Sequence, residues 1–263
     1  MNIIHYNPNE TGLRLLQTSE NYFNNVFNEQ KETIYKPISE INDFLGFLNS
    51  RLTYPDVVLI TAHGTNKAIL RLRKGTLVKA MRLHQTRLFK HNFVFAISCG
   101  TATEFGSKAI DEAAQVYIGF DDEIQSDFKF DNGSNNKFNL ILESVFKKIY
   151  QTSVNEAFEI FIKKCLTAKE FCMHMDLIFK RQVRKTLRMG IKELRTIYSA
   201  PITDKYVSEL KAIIKLQFLA KFDSLRGKIT LLGDEQFVPW YFINRLNEEE
   251  LEELLTKVKK LKK

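Results

Sequence analysis

The sequence contains little of what marks several large classes of protein. Only 5 prolines and 11 glycines occur among 263 residues, too few for a collagen-like or low-complexity chain. The three cysteines are too few, and odd in number, for a disulfide framework, which favours a reducing cytoplasm. No apolar run approaches the ~20 residues needed to span a bilayer, and the first residues lack the basic segment and apolar run of a secretory signal. We therefore expect a cytoplasmic protein that does not cross a membrane.

A glycine-rich phosphate loop is also missing after the first predicted strand, which disfavours a flavodoxin-like nucleotide binder. Apolar residues, at 44%, are frequent enough for a full core and too frequent for a disordered chain. The net charge is +8, and residues 151–226 hold most of the excess, with 15 basic against 8 acidic residues. Three interpretations of this basic region are ranked. A solvated helical face comes first, and a site for a regulatory protein partner comes second. A nucleic-acid site comes third, because few aromatic residues lie among its cations.

The first 120 residues alternate between strand-like and helix-like segments. This pattern predicts an α/β fold with a mostly parallel sheet and helices on both faces. The most apolar strands, Val57–Ile60 and Phe93–Ile97, are expected to be central, because a parallel strand covered on both faces is apolar throughout. The predicted strands are Asn2–Tyr6, Thr33–Pro37, Asp56–Ala62, Ala68–Arg73, Asn92–Ser98 and Val116–Phe120, and the predicted helices are Ser39–Leu48 with a Ser39 cap, Thr76–Lys90 and Thr103–Gln115.

Helical periodicity dominates the chain after the polar stretch that follows Phe120. Three or four helices are predicted between Lys137 and about Lys221, with a break near Ser199–Pro201. A strand is predicted at Lys228–Leu232, and a charged amphipathic helix at Asn247–Lys263. These changes divide the chain into an α/β core at 1–136, a basic helical insertion or appendage at 137–226, and a returning strand with a final helix at 227–263.

Two buried strands each end in a polar side chain that can take part in catalysis. His63-Gly64 follows the strand Val57–Ile60, and Cys99-Gly100 follows Phe93–Ile97. Ligands bind outside the carboxyl ends of parallel strands, so both side chains are expected at one edge of the sheet. A nearby imidazole can take the proton of a thiol and leave the thiolate that attacks a carbonyl. The glycines allow backbone amides of Gly64, Cys99 and Gly100 to approach a developing oxyanion.

The order of these motifs resembles the caspase–haemoglobinase clan of cysteine peptidases, and within it the CHAT branch. The resemblance covers roughly residues 50–125, and extends loosely to Leu231–Asp234, where several clan members have a late strand ending in Gly-Asp. It implies a caspase-like fold, a Cys99 nucleophile, a His63 general base and acid, and hydrolysis of peptide bonds in a protein substrate without metal or organic cofactor. It also suggests a gated protease of a bacterial defence or cell-death pathway.

For other polar residues, the sequence gives weaker evidence of a function. In the clan, the region of Asp121 and Asp122 lines the pocket for the residue before the cleaved bond, so these carboxylates would favour Arg or Lys there. A solvated acidic turn is an equally good interpretation. Cys165 and Cys172, with His174 nearby, lack a second ligand pair for tetrahedral zinc and are expected to pack in the core. The remaining histidines, His5, His84 and His91, have no matching partner and are predicted to be structural or to lie at the surface.

The leading hypothesis is therefore a CHAT-type cysteine endopeptidase that acts through Cys99 and His63. The alternative is a catalytically silent caspase-like adaptor, which would bind a protein partner or nucleic acid through the basic helical region. The two hypotheses differ in whether the Cys99 thiol reacts as a nucleophile.

Overall fold

The computed structural model describes most of the chain, namely residues 1–8, 10, 17–28, 33–50, 56–121, 136–198, 204–215, 229–239, 252 and 256. The strands are β1 (Asn2–Tyr6), β2 (Ile34–Ile38), β3 (Val57–Thr61), β4 (His63–Thr65), β5 (Ala68–Arg73), β6 (Thr76–Arg82), β7 (Phe93–Ile97), β8 (Val116–Phe120) and β9 (Ile229–Gly233). The helices are α1 (Gln17–Asn28), α2 (Ile41–Asn49), a 3-10 helix (Leu83–Phe89), α3 (Glu104–Asp111), α4 (Asn136–Lys164), α5 (Ala168–Arg188), α6 (Ile191–Tyr198) and α7 (Asp204–Ile213).

Six strands form the main sheet, in the order β2-β1-β3-β7-β8-β9. The first five run parallel, and β9 pairs antiparallel with β8. All five residues of β3 and all five of β7 are buried, which fits their uninterrupted apolar sequences. The predicted α/β fold, its mostly parallel sheet and the central position of these two strands are confirmed.

Helices cover both faces of the sheet. One face packs against α1, α4 and α5, largely through phenylalanines: the ring of Phe93 stacks on Phe161 with centroids 4.6 Å apart, and Phe95 meets Phe171 edge-on at 5.1 Å. Such aromatic pairs contribute about 0.5–1.5 kcal/mol each beyond the area they bury. The other face packs against α2, the 3-10 helix and α3. The first two helices of the basic region therefore share a core with the sheet, while the domain boundaries near 136 and 226 stay a prediction.

The segment from Thr76 to Lys90 is the main error of the sequence prediction. It was expected to be one helix, but it forms β6 and the short 3-10 helix. Lys74 (φ 49°) and Gly75 (φ 80°) both lie in the left-handed region, as in the two-residue turns that join antiparallel strands. This turn folds β6 back on β5, and β4 completes a small antiparallel sheet in the order β4-β5-β6. The predicted strand Ala68–Arg73 exists, but it belongs to this second sheet.

Smaller differences concern helix ends. Glu40, not Ser39, precedes the first turn of α2, and it makes no side-chain capping bond. The helix predicted to reach Gln115 ends at Asp111, and Ala113 follows it with a left-handed φ of 71°.

The later part of the chain follows the prediction where it is described. Four helices, α4 to α7, lie in the stretch for which three or four were predicted, and β9 confirms the returning strand. The predicted helix Asn247–Lys263 lies outside the described residues, except for positions 252 and 256, which are helical. Among the described helices, none is long and apolar enough to cross a membrane.

Candidate active site

His63 and Cys99 follow two neighbouring parallel strands at the same edge of the sheet. The last paired residues of β3 and β7 are Thr61 and Ile97, and the N–H of Ala62 donates to the Ile97 carbonyl at 3.3 Å. His63 and Cys99 each lie two residues after the last residue of their strand that pairs with the other strand. The two residues therefore occupy equivalent positions at the carboxyl edge of the sheet. His63 is 27% exposed and Cys99 is half-buried, which leaves both within reach of solvent.

Cys99 lies in a tight turn between β7 and α3. Gly100 adopts a left-handed φ of 66°, which glycine tolerates without strain. The hydroxyl of Thr101 donates to the Ser98 carbonyl at 3.0 Å, and that of Thr103 donates to the Gly100 carbonyl at 2.8 Å, so side chains hold the turn on both sides of Cys99. Burial raises the pKa of Tyr150, and the negative charge of a Cys99 thiolate raises it further, which places the thiol near Tyr150 of α4.

Gly64 brings the backbone of β4 against this turn. A Cβ at position 64 would overlap Ser98 Oγ and would lie 2.7 Å from both the Cys99 carbonyl oxygen and Thr101 Cγ2. Only glycine therefore fits between the His63 strand and the Cys99 turn in this arrangement. The Ser98 hydroxyl is buried beside it, and no residue in the described part of the chain forms a hydrogen bond with it.

Glu10, which the sequence prediction missed, faces His63 from a third strand end. It follows β1, the neighbour of β3 on the side away from β7, and its side chain is only 8% exposed. The N–H of Leu72 donates to Glu10 Oε1 at 2.6 Å, which ties the carboxylate to β5. The other oxygen, Oε2, lies 3.7 Å from His63 Nε2 and has no hydrogen-bond partner among the described residues. The signal in the sequence is a carboxylate shortly after the first strand, which can be interpreted only once the strand order is known.

Asp121 stands at the end of β8, next to β7 in the sheet, and is exposed. The N–H of Ala102, in the Cys99 turn, donates to the Phe120 carbonyl at 2.9 Å, so the start of the predicted acidic pocket is tied to the candidate nucleophile's turn. Asp122 lies outside the described residues. Whether these carboxylates contact a substrate stays a prediction.

The other histidines have the structural or surface positions expected of them. His5 is fully buried: its Nδ1 pairs with the Tyr35 hydroxyl at 2.5 Å and its Nε2 with Thr61 Oγ1 at 2.8 Å. Burial lowers the pKa of His5 to about 3 and keeps the ring neutral. His84 and His91 are exposed.

The remaining two cysteines pack against the hydrophobic core. Cys165 and Cys172 both contact the cluster that joins α4 and α5 to the sheet. Burial raises the pKa of Cys172 to about 12, so its thiol is protonated near neutral pH. Within the described ranges, no three His, Cys, Asp or Glu side chains come together in a group that could hold a metal ion.

Comparison with known proteins assigns no family to the chain. No protein-family model matches it. A search of curated proteins finds no match either. Any assignment of chemistry to this edge of the sheet therefore depends on the residues that lie there. A thiol, an imidazole and a buried carboxylate follow β7, β3 and β1, which are three consecutive strands of the sheet. These are the groups that nucleophilic acyl transfer by a cysteine uses.

Proposed function

We propose that the protein is a cysteine endopeptidase of the caspase-like, CHAT type, which hydrolyses peptide bonds in a protein substrate. The observation that carries the proposal is the register of β3 and β7, which sets His63 and Cys99 at matching positions after adjacent strands. The close packing of Gly64 on the Cys99 turn supports it, because this contact holds the two strand ends against each other. The α/β fold with helices on both faces is compatible with the fold that the resemblance implies.

In the proposed mechanism, His63 takes the proton of the Cys99 thiol and the thiolate attacks the carbonyl carbon of the substrate. Backbone N–H groups of Gly64, Cys99 and Gly100 stabilise the oxyanion of the tetrahedral intermediate. His63 then gives its proton to the leaving amine, and a thioester to Cys99 remains. His63 then takes a proton from a water molecule, which attacks the thioester. The C–S bond breaks, the carboxylic acid is released, and His63 returns its proton to the Cys99 sulfur.

Glu10 has a positioning role in this proposal. Its Oε2, which no hydrogen bond from a described residue reaches, faces Nε2 of His63, and this leaves Nδ1 as the ring nitrogen for proton exchange with Cys99. A carboxylate at this distance stabilises the imidazolium that forms when Cys99 is deprotonated, and it favours one orientation of the ring. Because Leu72 holds the other carboxylate oxygen, the charge is fixed in place before substrate binds.

The resemblance is also the basis for the proposed substrate preference and the proposed pathway. Asp121, exposed beside the Cys99 turn, is proposed to favour Arg or Lys before the cleaved bond through a charge-assisted contact. No metal or organic cofactor takes part in these steps. A gated role in bacterial defence or cell death belongs to the same proposal and depends on the resemblance alone.

The experiment that tests the proposal is labelling by an irreversible peptide electrophile with Arg or Lys at its reactive end. We expect one adduct by intact mass, located at Cys99 by peptide mapping, and none in Cys99→Ala. His63→Ala should react much more slowly. The matched control is Cys165→Ala combined with Cys172→Ala, which removes the other two thiols and should label like the wild type. An adduct on Cys165 or Cys172, or His63→Ala reacting at the wild-type rate, would contradict the proposal and favour the adaptor.

A further inference from the structure

The solvent-facing side of α5 carries exposed apolar residues at one end and exposed cations at the other. The buried residues of this helix, such as Phe171, Met175 and Val183, point into the core. The exposed positions recur every three or four residues and therefore form one continuous stripe. This stripe, called the α5 outer face, consists of Met173, Leu177, Arg181, Arg184, Lys185 and Arg188.

A groove between this face and α6 gives the surface a concave shape. Its volume is about 1030 Å³, and five Lys and Arg side chains of α5 line it together with Leu177. Glu193 is the single carboxylate among the described residues of the lining, and one of its oxygens already accepts the N–H of Gly190 at 2.8 Å. The groove is therefore strongly positive and has an apolar end.

The cations differ in how far their charge is balanced. Lys180 pairs with Asp176 at 2.8 Å, and Arg181 pairs with Glu156 on α4. Arg184, Lys185 and Arg188 make no ion pair with any of the residues that the structure describes. Three neighbouring cations without carboxylate partners favour a negatively charged occupant.

The apolar end distinguishes between two kinds of anionic occupant. Met173 is 57% exposed and Leu177 is 58% exposed, and because they lie one helical turn apart they form one apolar patch, which apolar side chains of a protein could cover. Among the described residues that line the groove, none has the aromatic side chain that sites for single-stranded nucleic acid use to stack on bases. We propose that the α5 outer face docks an acidic helix of a protein partner, whose leucine-type side chains cover Met173 and Leu177 and whose carboxylates pair with Arg184, Lys185 and Arg188.

This inference is independent of catalysis at Cys99, because the α5 outer face and the sheet edge have no residue in common. If the protease proposal fails, the docking prediction is unchanged, and the reverse also holds. The chemistry of the partner is a helix with Glu on one side and Leu on an adjoining stripe, the arrangement of a helix that binds in a groove.

The test uses the full chain and two fluorescent helical peptides of about four turns, one of Glu and Leu and one in which each Leu is replaced by Ser. At about 0.15 M salt, we expect the leucine peptide to bind at least about tenfold more tightly than the serine peptide. Leu177→Ser should remove most of that difference. Combined reversal to Glu at Arg184, Lys185 and Arg188 should weaken binding of both peptides by about tenfold or more.

The matched control reverses the same amount of charge at Lys79, Arg87 and Lys90, which are exposed and lie on the opposite face of the sheet or beyond it. This control variant should bind both peptides like the wild type. Three results would overturn the proposal: no binding of either peptide, equal loss of binding in the control and in the α5 variant, or tighter binding of a short DNA duplex or RNA strand than of the leucine peptide. Circular dichroism confirms that each variant is folded before binding is measured.

Discussion

Glu10 Oε2 lies 3.7 Å from His63 Nε2, across the ends of two adjacent strands. The carboxylate is almost fully buried, its other oxygen is tied to the Leu72 N–H, and Oε2 has no hydrogen-bond partner within the described ranges. Buried polar atoms without partners are uncommon in folded proteins and call for an explanation. The proposed mechanism offers one, because a proton transferred from Cys99 to His63 would make the imidazolium the partner of Glu10.

Replacing Glu10 with Gln should slow the reaction of Cys99 with iodoacetamide near neutral pH. The contact between a partly exposed imidazolium and a carboxylate contributes on the order of 1 kcal/mol, so we expect a decrease in rate of about fivefold. Glu40→Gln is the matched control: it neutralises an exposed carboxylate that pairs with Arg71 of the neighbouring β5, and it should leave the rate unchanged. A Glu10→Gln protein that reacts as fast as Glu40→Gln would exclude the positioning role.

Gly64→Ala and Gly46→Ala should have opposite effects. A Cβ at 64 would press on Ser98 and on the Cys99 carbonyl, so we expect a loss of about 1–3 kcal/mol in unfolding free energy and slower alkylation of Cys99. At 46, inside α2, a Cβ meets nothing within 4 Å, and alanine should stabilise the protein by about 0.5–1 kcal/mol. Urea denaturation followed by circular dichroism measures both. Equal stability of the two variants would mean that β4 does not pack on the Cys99 turn as described.

The elements that sequence alone predicted well are those with a strong and simple hydrophobic pattern. Val57–Ile60 and Phe93–Ile97 are apolar throughout, and this pattern has few alternatives for short segments bounded by polar residues. The Thr76–Lys90 segment failed because Leu77, Met81 and Leu88 fit helical spacing as well as they fit strands. Its true structure depends on the Lys74-Gly75 turn, whose two left-handed residues reverse the chain.

Only part of the candidate site could be predicted from the sequence. His63 and Cys99 each follow a recognisable strand, so their common edge could be expected from the rule for parallel sheets. Glu10 could not be identified in the same way, because its relation to His63 depends on β1 lying next to β3 and on a backbone bond from β5. The bond comes from Leu72 of β5, which was predicted as a strand, but β6, the other strand of the same hairpin, lies in the segment that was predicted as a helix.

Thr167→Ala should destabilise the protein by about 1 kcal/mol, because it removes the capping box of α5. The Thr167 hydroxyl accepts the N–H of Glu170 at 3.1 Å, and the Glu170 carboxylate accepts the N–H of Thr167 at 2.9 Å. The matched control is Thr196→Ala, at an exposed position within α6 where the hydroxyl donates back to the Lys192 carbonyl. This change should be neutral or slightly stabilising. Chemical denaturation compares the two variants, and a smaller loss for Thr167→Ala than for Thr196→Ala would contradict the capping role.

His5 should make the stability of the protein fall as the pH is lowered. Its pKa is about 3 in the folded protein, whereas the ordinary value is about 6.5, so between these values the unfolded chain binds a proton that the folded chain excludes. The free energy of unfolding should therefore be fully retained above about pH 6.5 and should decrease by up to about 1.4 kcal/mol per pH unit below it, until about pH 3. In His5→Gln, whose amide can still pair with Tyr35 and Thr61, the slope across this window should be shallower by that amount. Urea denaturation at a series of pH values measures the two slopes, and the NMR shift of the His5 ring proton gives a second reading on the wild type. Equal slopes, or a ring that titrates near its ordinary pKa in the folded protein, would show that His5 is not held neutral by burial.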